Sequence, residues 1–128
     1  MSGRILIIDD DPDFTEALST LLDAKGYEVM SAQDGKDGFA KAKSNVPDLI
    51  LLDVMMTTKT EGFDVAHMLK DDDTTRDVPV IIISGIHKDM SLPFTFEPDR
   101  DWLPVKAVLE KPVKPEILIR AVEQNINK

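Results

Sequence analysis

Short runs of apolar residues, Ile5 to Ile8, Leu49 to Leu52 and Val78 to Ile83, stop abruptly at polar residues and alternate with longer segments of helical period. A strand that is apolar at consecutive positions has both faces covered, as in a parallel sheet with helices on each side. Strand-length runs alternating with helical segments therefore predict βαβ units and an α/β fold. The first helix is the clearest: Phe14, Ala17, Leu18, Leu21 and Leu22 share one face, Pro12 suits its first turn, Asp11 can cap it and Gly26 can end it. Tyr27 to Ala32 reads as a second strand, and Asp34 can cap a helix over roughly 35–45 with Phe39, Ala42 and Val46 on one face. Gly35 and Gly38 weaken that helix. Residues 62–71 read as helical, and Val105 to Leu109 as the last strand. Pro115 opens a final helix with Ile117, Leu118, Ala121, Val122 and Ile126 toward the sheet. Between Ile86 and Pro104 the alternation breaks down: Pro93, Pro98 and Pro104 leave room for only a short helix near 87–92.

The 128 residues contain no internal repeat, low-complexity tract or Ser/Gly linker, which predicts one domain over 1–128. Fifteen basic against 24 acidic residues give a net charge of −9, a field that repels nucleic-acid phosphates and anionic lipid surfaces. Binding to nucleic acid or membrane is not expected. Without cysteine there is no disulfide, thiolate metal site or thiol nucleophile. The apolar run at the amino terminus is too short for a signal peptide, and no stretch approaches the ~18 apolar residues of a membrane span, so a cytoplasmic location is expected.

The strand ends carry the chemistry. Asp9 and Asp10 end one strand, Asp53 another, Ser84 a third and Lys111 the last. In an open parallel sheet, ligands bind beyond the carboxyl ends of the strands. Three carboxylates and one ammonium leave a charge of −2, which a divalent cation neutralises. An all-oxygen donor set without His or Cys favours Mg²⁺. A hydroxyl and a lysine at the same edge suit the remaining oxygens of a phosphoryl group. Each residue has a plainer reading alone, Asp11 as a helix cap and the others as turn residues, but their joint recurrence at strand ends favours function.

These residues also carry a resemblance. LIIDDDP over Leu6 to Pro12, PDLILLDVMM over Pro47 to Met56, VPVIIIS ending at Ser84, and EKPVKP around Lys111 resemble the receiver domain of response regulators. The resemblance covers essentially the whole chain. It implies a flavodoxin-like, five-stranded parallel sheet of order 2-1-3-4-5 with helices on both faces. It further implies that Asp53 accepts a phosphoryl group from a phosphohistidine on a sensor histidine kinase or phosphotransfer protein. By the same resemblance Asp9, Asp10, Asp53 and the Met55 backbone carbonyl hold Mg²⁺. Ser84 then bonds the phosphoryl oxygens, Lys111 pairs with them, and the Lys111-Pro112 peptide is cis. The domain would catalyse only its own phosphorylation and dephosphorylation.

The chain departs from the family in three places. The loop Thr57 to Gly62 lacks the usual proline and is one residue longer, Val108 stands where an aromatic switch residue is normal, and the span from Ser84 to Lys111 is extended. The extension leads to the expectation that the irregular stretch, with Phe94, Phe96 and Trp102, covers the sheet edge or offers an apolar patch to a downstream protein target. His67 and His87 lack a metal-ligand pattern, and the side chains of Met55 and Met56 suit packing. Two other functions compete. A haloacid-dehalogenase-type phosphatase would need a further acidic strand motif after Lys111, where only Glu116 and Glu123 occur on a helix, and a pseudo-receiver would keep the fold without phosphorylation.

Overall fold

A computed structural model describes residues 3–53, 61–84, 107–110 and 114–126, with side chains excepted at 61–64, 66, 84, 107, 108 and 110. Its elements run β1 (Arg4–Ile8), α1 (Pro12–Ala24), β2 (Glu28–Ala32), α2 (Gly35–Ser44), β3 (Leu49–Asp53), α3 (Glu61–Asp71), β4 (Val80–Ser84), β5 (Ala107–Glu110) and α4 (Pro115–Asn125). All strand pairs are parallel, and the sheet order is β2-β1-β3-β4-β5. This is the order the family resemblance implied.

Alternation along the central strands divides the core into two layers. Leu6, Ile8, Ile50, Leu52, Val80 and Ile82 pack with Ala42 of α2 and with Val65 and Leu69 of α3. Ile5, Ile7, Leu49, Leu51, Ile81 and Ile83 pack with Leu18 and Leu22 of α1 and with Leu118, Ala121 and Val122 of α4. Continuous apolar runs are thus buried on both faces, each fully buried aliphatic side chain contributing about 1.5–3 kcal/mol.

Local chemistry fixes the helix ends. The Asp11 carboxylate accepts from the Asp13 and Phe14 amides at 3.0 and 3.2 Å, a cap typically worth about 1 kcal/mol. α1 ends as the Gly26 and Tyr27 amides donate to the Asp23 and Leu22 carbonyls, with Gly26 at φ +94°. Asp34 caps α2 through the Asp37 amide at 2.8 Å. Lys43 of α2 reaches the loop after α3, 3.2 Å from Asp72, while its Nζ lies 5.4 Å from the Phe39 ring centroid.

Two expectations are corrected. Val46 lies beyond the end of α2 and is 42% exposed, because the helix stops at Ser44 before that turn of the face completes. Ile117 is 47% exposed: it sits in the first turn of α4, off the stripe that Leu118, Ala121 and Val122 bury. The irregular stretch 86–104 with its prolines, Phe94, Phe96, Trp102 and His87, the loop at Thr57, and the Lys111-Pro112 peptide lie outside the described residues.

Candidate functional site at the carboxyl edge of the sheet

The register brings the acidic residues together. Ile8 of β1 pairs with Leu52 of β3, so Asp9 and Asp53, each one residue further along, stand abreast at the carboxyl edge. One oxygen from each of Asp9, Asp10 and Asp53 lies within 4.8 Å of the others. Asp9 and Asp53 are 2% and 3% exposed, whereas Asp10 faces solvent.

The Asp9 backbone is tied to the neighbouring strand, its amide donating to the Ala32 carbonyl at 3.0 Å. Its carboxylate Oδ1 accepts from the Asp11 amide at 2.9 Å. The acidic run thereby divides its work: Asp9 and Asp10 join Asp53, while Asp11 turns back to cap α1. A buried pair of carboxylates with a third exposed beside them is costly in isolation, because charges removed from water require a counter-charge. Three hard oxygen donors, one open to water, fit Mg²⁺, which is usually held by one or two carboxylates and several waters. The buried carboxylates therefore suit the ion the sequence led us to expect.

Ser84 closes β4, one position beyond Ile83, the register partner of Asp53, and pairs in register with Glu110 of β5. Its backbone is thus at the same edge as the acidic cluster. The Ser84 side chain, Lys111 and Met55 lie outside the description, as does the side chain of Val108. His67 falls on α3 and is half-buried, and it is not one of the residues that converge with the acidic trio.

Sequence reasoning missed a cleft of about 320 Å³ that opens beside Asp9, lined by Thr15, Glu16 and Ser19 of α1 and by Ser31 and Gln33 at the end of β2. The available signal was positional: Ala32 and Gln33 leave β2 at the edge where Asp9 leaves β1, since Ile8 pairs with Ala32. It took Gly38 only as a weakener of the second helix, and no motif announces its place against Ile8.

Comparison with known proteins agrees with this geometry. The response regulator receiver domain family matches residues 5–123. Protein PilH of Pseudomonas aeruginosa is 34% identical over 123 residues, 94% of this chain and 94% of that protein. Response regulator PleD of Caulobacter vibrioides is 46% identical over 86 residues, 67% of this chain but only 19% of PleD. The chain thus spans about a fifth of that relative's length. Among solved structures, the chemotaxis protein CheY4 of Vibrio cholerae superposes with a TM-score of 0.81 at 24% identity, covering 98% of this chain and 100% of that one, a likeness of fold. The signal receiver domain of a histidine kinase from Syntrophus aciditrophicus reaches 0.79 at 28% identity, over 95% of this chain and 88% of that one. These likenesses favour neither the phosphatase nor the pseudo-receiver. The chain belongs to the response regulator receiver domain family of two-component signalling proteins.

Proposed function

We propose that residues 1–128 form one receiver domain in which Asp53 is the phosphoacceptor and Asp9, Asp10 and Asp53 hold Mg²⁺. The observation that carries this reading is the convergence of the three carboxylates at the carboxyl edge, with Asp53 buried at the end of β3. Receiver domains are signalling modules that partner with histidine kinases or phosphotransfer proteins. The reading assigns the phosphodonor here to a phosphohistidine on such a partner.

An Asp53 carboxylate oxygen forms a bond to phosphorus as the phosphorus–nitrogen bond of the donor breaks, and the imidazole, already protonated on its other ring nitrogen, leaves as the neutral ring. Mg²⁺ held by these carboxylates would supply charge stabilisation to the phosphoryl group. The residues of the chain do the rest. Asp9, tied by its amide to Ala32, presents a fixed carboxylate, and Asp10 presents one open to solvent. Ser84 and Lys111 are assigned to the phosphoryl oxygens, and the Met55 carbonyl to the metal, from the motifs they occupy. Such chemistry is mainly positioning and electrostatics, so a buried nucleophile at a rigid strand end suits it. Dephosphorylation by water would reset the switch, making the domain a timed signal.

The charge of −9 supports a protein target over direct contact with nucleic acid. No helix among the described residues is long and apolar enough to cross a membrane, and we assign the domain to the cytoplasm. Incubation with Mg²⁺ and acetyl phosphate should add one hydroxylamine-sensitive phosphoryl group to the wild type and none to Asp53→Asn, read by intact mass. Equal labelling of the two proteins would overturn the assignment.

A further inference from the structure

The residue before the acidic pair packs against a position where α2 carries no side chain. Ile8 is fully buried, pairs with Ala32 on one side and Leu52 on the other, and belongs to the core layer beneath α2 and α3. A Cβ at Gly38 would lie 2.5 Å from Ile8 Cδ1, 2.7 Å from Cγ1 and 3.0 Å from Cγ2. Such separations are far inside van der Waals contact. α2 therefore rests on the end of β1 more closely than an alanine there would allow, at a mid-helix site where glycine is intrinsically unfavourable.

One residue along the chain from that contact the acidic cluster begins. The peptide that joins Ile8 to Asp9 carries the amide bonded to the Ala32 carbonyl, and the next side chain is the buried Asp9 carboxylate. The start of α2 is fixed to the same neighbourhood, because Asp34, two residues after Ala32, is its cap. Displacing Ile8 would thus strain the backbone bond from the Asp9 amide to β2. The side chain cannot yield outward, since it is enclosed by the sheet and both helices.

We propose that Gly38 is a positioning residue of the acidic cluster: by letting α2 seat directly on Ile8, it sets the carboxyl end of β1 and the reach of the Asp9 carboxylate toward Asp10 and Asp53. This inference rests on the reading of that cluster as the Mg²⁺ site. The contact is matched in volume, the long isoleucine facing the missing methyl. Gly38→Ala combined with Ile8→Val moves one methylene from strand to helix, nearly conserves the total and removes Cδ1, the atom nearest the added methyl, leaving the 2.7 and 3.0 Å approaches of Cγ1 and Cγ2 to a small shift of α2.

The test is a Mg²⁺ titration of the full chain followed by amide NMR, together with hydrogen exchange at the Asp9 amide in metal-free protein. For Gly38→Ala the dissociation constant for Mg²⁺ should rise on the order of tenfold, the usual scale for losing a support behind a metal ligand. The Asp9 amide should exchange faster, and the Ile8→Val/Gly38→Ala pair should return both readouts toward wild type. Wild-type affinity and protection in Gly38→Ala would overturn the proposal. So would a pair that recovers its melting temperature but not its Mg²⁺ affinity. If Gly38→Ala does not fold, the pair is compared with Ile8→Val alone: weaker Mg²⁺ binding and faster Asp9 exchange in the pair support the proposal, and equality of the two variants overturns it. A wild type that binds no Mg²⁺ would refute the metal reading itself, while Asp9 amide exchange still tests Gly38 separately.

Discussion

Tyr27 offers a quantitative test of how the core is built. It follows the glycine that ends α1, is 2% exposed, and packs in the layer containing Leu22, Leu118, Val122 and Ile126. Its hydroxyl is buried and has no hydrogen-bond partner among the described residues. Burial, and secondly the charge of Glu123, push its pKa above the ordinary 10.0. Tyr27→Phe keeps the ring and removes the stranded hydroxyl. A buried polar group without a partner costs about 1–3 kcal/mol, so the variant should gain stability, by roughly 1 kcal/mol after local relaxation. For a domain of this size that corresponds to a melting temperature higher by roughly 3–5 °C. The pH dependence has a definite sign. The folded state holds the phenolic proton more tightly than the unfolded chain, so the wild type keeps its full stability below pH 10.0 and loses it as pH rises through the folded pKa. The advantage of Tyr27→Phe should therefore be constant near neutrality and widen above pH 10.0. Urea unfolding followed by far-ultraviolet circular dichroism at both pH values measures it. A loss of about 1 kcal/mol or more in Tyr27→Phe at neutral pH would mean that the hydroxyl is satisfied, and would refute the reasoning.

Three further predictions concern other parts of the fold. Asp10→Ala should raise the metal-free melting temperature by relieving repulsion among crowded carboxylates and abolish the stabilisation that Mg²⁺ gives the wild type; thermal melts with and without Mg²⁺ check both. Thr75 is fully buried and its hydroxyl donates to the Leu69 carbonyl at 2.6 Å, so Thr75→Val should cost about 1–2 kcal/mol in urea unfolding by leaving that carbonyl short of a donor. The Thr74 amide, and after it Lys43, hold the Asp72 carboxyl below its ordinary 3.8. The stability it contributes is present above pH 3.8 and lost as pH falls through the folded pKa, so the gap between wild type and Asp72→Asn should shrink in acid unfolding series.

The sheet and its acidic edge were legible because each is written in contiguous residues. An aliphatic run of four predicts a strand covered twice, and a polar residue directly after it must sit at the strand end, so Asp9 and Asp53 could be placed at one edge before their pairing was known. Asp11 was legible as a cap because its partners are only two and three residues away. Helical spacing was less sufficient. Ile117 and Val46 fit an apolar periodicity, yet the orientation of α4 and the end of α2 leave both exposed, and neither is set locally. Gly38 read as a helix weakener for the same reason: its value lies in Ile8, thirty positions earlier, and becomes visible only when α2 is laid on β1. Lys43, which joins α2 to Asp72, has no local signature either, since the loop it holds is brought near by the packing of α2 beside α3.

The central claim, a phosphoryl group carried by Asp53, is tested most directly by trapping the linkage where it forms. An acyl phosphate is reduced by borohydride to an alcohol, whereas a free carboxylate is not, so the reduced side chain marks the acceptor. The protein should be treated with acetyl phosphate and Mg²⁺, reduced with borodeuteride, digested, and sequenced by tandem mass spectrometry. The account predicts deuterated homoserine at position 53 alone, and none when Mg²⁺ is withheld. Label at Asp9 or Asp10 instead, or no label in wild-type protein that is folded and binds Mg²⁺, would contradict it.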